Sequence, residues 1–241
     1  GELTISVSSS DGDYNALADH NLNVQIVEND KASYLVAPAD YPLNATEGDL
    51  TPTTYTFSLG SEPLSPVTIS IVPDSEELTV SPQQLVFNAG NWQSEQTVNV
   101  VTVDDDVFEG LHLSTITHGV STIDPKYVAL ALPSVDVNIT DNDEVGVNIV
   151  PPEGGVEVTE NQPGMSYDIQ LNSRPTEVVR VQLTCDRSIS CNPTVVDIAP
   201  AQWETAVPIE VTAIDNDRAV DQPIVTTITH SVYSTDIHYA D

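Results

Sequence analysis

Val67-Thr68-Ile69-Ser70-Ile71 alternates apolar and polar residues with period two, and Val179-Arg180-Val181-Gln182-Leu183 does the same. That period belongs to a half-buried strand, whose successive side chains leave the backbone on opposite sides. Around these runs Pro63, Pro66, Pro73, Pro82, Pro175 and Pro193 punctuate short stretches rich in Val, Ile and Thr. Proline cannot donate to a sheet ladder, so it marks turns and strand ends. No stretch of length carries a helical period. The local signal is β throughout.

The chain also repeats itself. Glu28-Asn29-Asp30 returns as Asp141-Asn142-Asp143, and Tyr14, Ala16, Val24 and Ile26 return in the same register as Tyr127, Ala129, Val137 and Ile139. Thr117-His118-Gly119-Val120-Ser121 returns as Thr229-His230-Ser231-Val232-Tyr233. The first offset is 113 residues and the second 112. A period this long is a whole domain and not a solenoid turn. It predicts tandem immunoglobulin-like antiparallel β-sandwich domains of about seven strands each.

The copies align through Thr46-Glu47-Gly48 with Thr159-Glu160-Asn161, Ser61-Glu62-Pro63 with Ser173-Arg174-Pro175, and Asn91-Trp92 with Gln202-Trp203. Asp104-Asp105-Asp106 aligns with Asp215-Asn216-Asp217, and one added residue brings Glu109 onto Asp221. This divides the chain into 1–30, the last two strands of a preceding copy; 31–143, a complete unit; and 144–241, a unit lacking its final strand. A sandwich without that strand exposes an apolar groove and unpaired backbone groups. Either the sequence is a window on a longer array, or a neighbouring chain donates Leu17–Asp30 into the groove. Residues 1–16 duplicate what 226–241 already supply, which favours the window.

Charge narrows the function classes. Asp and Glu number 37 against 6 Lys and Arg, for a formal net charge of -31. Such a chain is repelled by nucleic acid and by anionic membranes. The longest apolar stretch, Tyr127–Leu132, is far too short to span a bilayer. Gly1-Glu2 opens directly into a strand pattern, so no leader peptide is expected in it. Scarce lysine suits a secreted acidic protein. Cys185 and Cys191 flank Asp186–Ser190, read as a hairpin turn, so their strands are expected to face each other within bridging distance. A disulfide and an oxidising, extracellular or cell-surface location are expected.

The run Thr46-Glu47-Gly48, Leu85-Val86-Phe87, Asn91-Trp92 with Gln96-Thr97-Val98, Asp104-Asp105-Asp106-Val107-Phe108-Glu109-Gly110 and Thr140-Asp141-Asn142-Asp143 resembles a Calx-beta-type repeat. The resemblance is to the tandem copies of large secreted and surface proteins, and covers essentially the whole chain. It implies an immunoglobulin-like sandwich, calcium at one end of each domain, and a part in adhesion, matrix or surface structure. It maps the metal ligands onto Glu47, Asp104, Asp105, Asp106, Glu109, Asp141 and Asp143, and in the last copy onto Glu160, Asp215, Asp217 and Asp221. Two departures stand out. Pro73–Glu77 is shorter than the family's loop with a further Asp, and Asn142 replaces a carboxylate. The last copy also has Asn216 for Asp105, Arg218 after its triplet, and no closing cluster.

The residues themselves point the same way. Carboxylates about 4 Å apart repel by roughly 4 kcal/mol per pair at an effective dielectric near 20. Calcium, which takes six to eight oxygens in irregular geometry, suits such a loop collection better than magnesium. A cation between the end of one unit and the next would stiffen the joint; the alternative is a solvated acidic rim.

Other constellations carry less. His118 and His230 repeat, yet Ile5 holds that slot in the first copy, so it is expected to face the core. His112 lies six residues from His118 on one strand face, with no Cys or carboxylate at ligand spacing. Trp92 and Trp203 are expected to begin the same strand as packing anchors. No nucleophile elbow, phosphate loop or paired-Cys zinc site is present, and no enzyme is predicted. The expected function is a structural spacer of an extracellular filament, stalk or adhesin, whose partners are neighbouring repeats or identical subunits. The rivals are a fibre subunit joined by strand donation and a module binding carbohydrate or protein on a sheet face.

Overall fold

The computed structural model describes residues 2–39, 42–218 and 223–240. It begins with a small hairpin, β1 (Glu2–Ile5), a single helical turn α1 (Gly12–Asn15) and β2 (His20–Asn23). A first sandwich follows: β3 (Tyr34–Ala37), β4 (Leu43–Thr46), β5 (Thr53–Leu59), β6 (Val67–Pro73), β7 (Leu78–Ser81), β8 (Gln84–Phe87), β9 (Gln96–Thr102), β10 (His112–Ser121), the turn α2 (Pro125–Val128) and β11 (Val135–Thr140). The second holds β12 (Val147–Val150), β13 (Met165–Leu171), β14 (Val179–Cys185), β15 (Ile189–Asn192), β16 (Val195–Ile198), β17 (Val207–Ala213) and β18 (Ile228–Ser234). The chain is all-β.

In the first sandwich a four-stranded sheet, β3-β5-β9-β7, faces a five-stranded one, β4-β11-β10-β6-β8. β7 and β8 are halves of one strand that crosses between sheets, parted at Pro82, and β3 and β4 lie in opposite sheets. Proline ends a ladder because it lacks the N–H. Every pairing in it is antiparallel except β4 against β11. The inward residues Tyr55, Phe57, Val67, Ile69, Phe87, Val98, Val100, Ile116, Val137 and Ile139 form the core, none more than 1% exposed.

The second sandwich repeats this plan with β12-β13-β17-β15 over β16-β14-β18. Its core gathers Tyr167, Ile169, Leu171, Val179, Val181, Ile198, Ile209 and Val211. Residues 156–159, aligned with β4, form no strand, and β18 is an outer strand. In the first sandwich β4 is held by β11; no strand equivalent to β11 is among the described residues of the second.

Each sandwich is pinned by the same buried tyrosine. Tyr127 Oη donates to the Ser61 carbonyl at 2.5 Å and receives the Ser61 N–H at 3.2 Å; Tyr239 does the same with Ser173 at 2.8 and 3.2 Å. Nearby, Asp124 accepts the Leu64 N–H and Asp236 the Thr176 N–H, both at 2.7 Å.

Cys185 and Cys191 are disulfide-bonded, with their Cα atoms 6.3 Å apart. Asp186 closes the turn between them, its carbonyl accepting the Ile189 N–H at 3.2 Å and its carboxylate the Ser188 N–H at 3.0 Å. β14 and β15 belong to different sheets and do not pair, so the turn between them is not the expected hairpin, and the bridge ties the two layers together.

The tryptophans depart from the sequence reading. Trp92 and Trp203 lie in turns ahead of β9 and β17, not on the strands, although both pack against the cores. Asn88 and Asn91 build the first of these turns by bonding their side chains to its backbone. Ile5, expected in a core slot, is 54% exposed on the hairpin. No helix among the described residues is long and apolar enough to cross a membrane.

Candidate metal centre

The parallel pairing of β4 with β11 delivers two acidic segments to one end of the first sandwich. β4 runs into Glu47, whose N–H donates to the Thr140 carbonyl at 3.0 Å, and β11 runs into Asp141. Gly48 then turns the chain with φ of +70°, in the left-handed region that glycine adopts freely. A Cβ there would stand 2.8 Å from Asn142 Nδ2 and 3.1 Å from Asp104 Oδ1. Asn161, its counterpart, keeps the left-handed turn with φ of 61°.

Glu47, Asp141 and Asp143 each bring one carboxylate oxygen within 4.8 Å of the others'. Asp141 is the organiser. Its Oδ2 accepts the Glu109 and Gly110 N–H groups at 2.5 and 2.7 Å, and its Oδ1 accepts the Asp143 N–H at 2.7 Å. Burial works against its charge, but the Asp143, Glu109 and Gly110 N–H groups outweigh burial and lower its pKa. Glu47 has no such support. It is 4% exposed, and burial, followed by the charges of Asp141, Asp105 and Glu109, pushes its carboxyl up to about 7. Glu47 Oε2 and Asp143 Oδ2 are buried without a hydrogen-bond partner. Burial, then Asp141 and the Asp104–Asp106 charges, raises Asp143 as well.

The aspartate triplet sits on the rim. Asp104, Asp105 and Asp106 are exposed. Asp104 accepts from Asn142 Nδ2 at 2.8 Å, and Asp105 accepts the Val107 N–H at 2.6 Å. This loop also touches the second sandwich. The Asp106 carbonyl accepts the Arg174 N–H at 2.6 Å, the Arg174 guanidinium lies 3.3 Å from Asp105, and the Phe108 ring meets His238 edge-on at 5.0 Å.

Glu109 turns the other way, into a group the sequence reading missed. Its carboxylate, that of Glu77 and His112 form a second cluster whose ligand atoms lie within 4.8 Å of one another. His112 Nε2 is 2.9 Å from Glu77 and 4.0 Å from Glu109, while Nδ1 sits 3.0 Å from the Gly110 carbonyl. The sequence shows no Cys or carboxylate at ligand spacing that joins His112 with His118, and the structure groups His112 with Glu77 and Glu109 instead. The contact with Glu77 spans 35 residues, and no local spacing announces it. Burial pulls the His112 pKa down, but the Gly110 carbonyl and Glu77 more than offset that and raise it.

The last copy solves the same problem with amides. Asn216 Nδ2 donates to Glu160 at 2.5 Å, and Asn161 Nδ2 to Asp215 at 3.0 Å. Among the described residues Glu160, Asp215 and Asp217 enter no three-membered cluster, Asp217 being exposed. Asp221 lies outside the described residues. His118 and His230 are structural, their Nε2 atoms 2.8 and 2.7 Å from the Tyr55 and Tyr167 hydroxyls, and burial lowers both pKa values.

No family model and no curated protein matches the chain. Among solved structures it is similar to the calcium binding domain CBD12 of CALX1.1, at 16% identity over 74% of this chain and 77% of that one, with a TM-score of 0.36. CBD12 from CALX1.2 is 14% identical over 82% and 79% of the two chains, also at 0.36. The chaperone–tip adhesion subunit pre-assembly complex of the Acinetobacter baumannii Csu pili is 10% identical over 83% and 98%, at 0.35. Likenesses this low bear on neither ligand nor partner.

Proposed function

We propose that this chain is a segment of an extracellular, Calx-beta-type repetitive protein, divided at 1–30, 31–143 and 144–241, that acts mechanically as a spacer with calcium-stiffened joints. The observation that carries the reading is the pair of buried, unpartnered carboxylate oxygens, Glu47 Oε2 and Asp143 Oδ2. An orphaned buried acceptor costs about 1–3 kcal/mol, and more when charged. Three carboxylates at this separation add repulsion of roughly 3 kcal/mol per pair at an effective dielectric near 20.

The donor set fits calcium. All first-sandwich candidates are oxygens, and two oxygens about 2.4 Å from one ion can lie up to about 4.8 Å apart. Glu47, Asp141 and Asp143 would hold the cation, with Asp104, Asp105 and Glu109 at its rim. Bound there, calcium supplies charge neutralisation. The rest is done by the chain. Asp141 fixes the backbone at Glu109 and Gly110, and so sets where the loop of 104–110 stands. The opposite side of that loop receives Arg174 and His238. Ordering one side of the loop orders the joint on the other.

The test has two readouts on the full chain. Thermal unfolding in EDTA, magnesium and calcium should show a calcium-specific rise. A cation at a hundred times its dissociation constant adds about 2.7 kcal/mol, a shift well over 5 °C for a domain of this size. Distances between spin labels on the two sandwiches should narrow in calcium. No rise, or an equal one with magnesium, would reduce the acidic end to surface charge.

A further inference from the structure

The turn that enters β7, the loop that follows β9 and the start of β10 bring three donor atoms to one point on the first sandwich. Glu77 Oε2 and Glu109 Oε2 lie 2.9 and 4.0 Å from His112 Nε2, and one atom of each residue falls within 4.8 Å of the other two. The backbone under each is pinned separately. The Glu77 carbonyl accepts the Val103 N–H at 2.7 Å, the Glu109 N–H donates to Asp141, and His112 pairs with Ile139 of β11. Ligands carried on fixed backbone need little reorganisation when an ion arrives.

The imidazole is oriented as a ligand is. Gly110, at φ of +68°, presents its carbonyl to His112 Nδ1 at 3.0 Å. A carbonyl only accepts, so Nδ1 carries the hydrogen and Nε2 is the atom turned to the two carboxylates. Metal-ligating histidines are held this way, one nitrogen donated to a carbonyl and the other given to the ion. Two donors about 2.1 Å from a tetrahedral zinc ion stand about 3.4 Å apart, between the 2.9 and 4.0 Å that separate these atoms. All three residues are half-buried, which leaves an ion a path from solvent and a fourth position for water.

The fold does not require this group. In the second sandwich the Ser188 carbonyl accepts the Ile214 N–H as the Glu77 carbonyl accepts that of Val103, so Ser188 stands for Glu77. Ile224 follows His112 by 112 residues, the offset that carries His118 onto His230. The second sandwich forms with Ser and Ile at these places. What it has instead is the Cys185–Cys191 bridge between its two sheets, whereas the first sandwich holds no cysteine. Glu77 leads into β7 of one sheet and His112 opens β10 of the other. An ion between them would tie the layers of the first sandwich as the disulfide ties those of the second.

We propose that Glu77, Glu109 and His112 hold a divalent transition-metal ion of the zinc class, which joins the two sheets of the first sandwich. The nitrogen donor sets the class. Calcium and magnesium are held by oxygens, whereas imidazole beside carboxylates suits zinc. The two carboxylates neutralise the charge of the ion, and the Gly110 carbonyl keeps the ring in place. This goes beyond the spacer reading and does not depend on calcium. Glu109 alone is common to both groups, giving its N–H to Asp141 and its carboxylate to the side of His112.

The test uses the full 241-residue chain in millimolar calcium, so that all-oxygen positions are occupied. Isothermal titration with zinc chloride should show one ion bound per chain, and cobalt(II) in its place should give the visible absorption of a four-coordinate site. In the parent, zinc should shift the Nε2 resonance of His112 and leave those of His20 and His238 unmoved. Glu77→Ser and His112→Ile each install the residue that the second sandwich carries, so their circular dichroism and their melting response to calcium should match the parent. Each should weaken zinc binding at least about 100-fold, beyond what the loss of an outer partner costs. Zinc that fails to bind in calcium, that binds both variants as tightly as the parent, or that leaves the His112 resonance unmoved would overturn the proposal. A calcium response that fails while zinc still binds at His112 would refute the spacer reading and leave this one standing.

Discussion

Replacing Glu47 by Gln should make the metal-free protein more stable at neutral pH, the reverse of what most changes to a buried residue do. Glu47 is 4% exposed and its carboxyl is pushed up to about 7 from an ordinary 4.5, first by burial and then by Asp141, Asp105 and Glu109. An acid that holds its proton more tightly when folded contributes stability that is complete below pH 4.5 and lost as pH rises to 7. The difference amounts to roughly 3 kcal/mol. Glutamine keeps the shape and the donor toward Asp141 without the charge. In EDTA at pH 8, Glu47→Gln should therefore melt roughly 10 °C above the parent, and at pH 4.5 the two should coincide. In calcium the order should reverse, because the parent gains a ligand that the variant lacks. Fluorescence of Trp92 in a Trp203→Phe background reports the first sandwich alone. Burial-raised Glu109 and Asp143 slope the same way with pH, whereas His118 and His230, with lowered values, slope oppositely near pH 6. A variant that melts below the parent in EDTA at pH 8, or shows its pH profile unchanged, would refute a buried charge at Glu47.

Three further outcomes are expected. Gly48→Ala should cost about 1–2 kcal/mol and weaken calcium binding, since it strains a φ of +70° and crowds Asn142 and Asp104; Asn161→Gly, at the same turn in the last copy, should change stability by only a few tenths, both read by urea unfolding. Reducing Cys185–Cys191 opens a loop of separation 6 and should destabilise the second sandwich by about 2 kcal/mol without moving the first, which calorimetry with and without reductant resolves. Tyr239→Phe leaves the buried Ser173 backbone groups without their partner and should cost about 1–3 kcal/mol in denaturant unfolding, with Tyr127→Phe, whose partner Ser61 is half-buried, close behind.

The fold was legible because strand alternation is a local property and the repeat displays it twice. Val67–Ile71 and Val179–Leu183 are strands as read, both with buried Val and Ile or Leu at alternate positions. The acidic end was legible because Asp104–Asp106 and Asp141–Asp143 are already clustered along the chain. What the sequence could not show depends on crossings between sheets. Glu77 and His112 meet only because β7 and β10 end near one another, and neither residue carries a local mark of it. Trp92 reads as the start of a strand because Gln96-Thr97-Val98 follows closely, yet the side-chain bonds of Asn88 and Asn91 hold it one turn earlier. Which carboxylates would gather and which would stay on the rim was equally invisible. That choice is made by backbone N–H groups, and Asp141 captures three of them.

The two sandwiches share a fold and part company over how they neutralise one end. In the last copy Asn216 and Asn161 turn two carboxylates into accepted hydrogen bonds. In the first, the corresponding positions are Asp105 and Gly48, which cannot donate from a side chain, and one amide, Asn142, serves Asp104 alone. Glu47 is left with a buried oxygen and no donor. An amide solution is permanent, whereas a cation solution depends on the medium. On the proposed reading the demand for a cation would fall on the first sandwich, whose acidic loop is also the surface that Arg174 and His238 contact. Stiffness would then be set at the joint between the two sandwiches, and it would respond to calcium there.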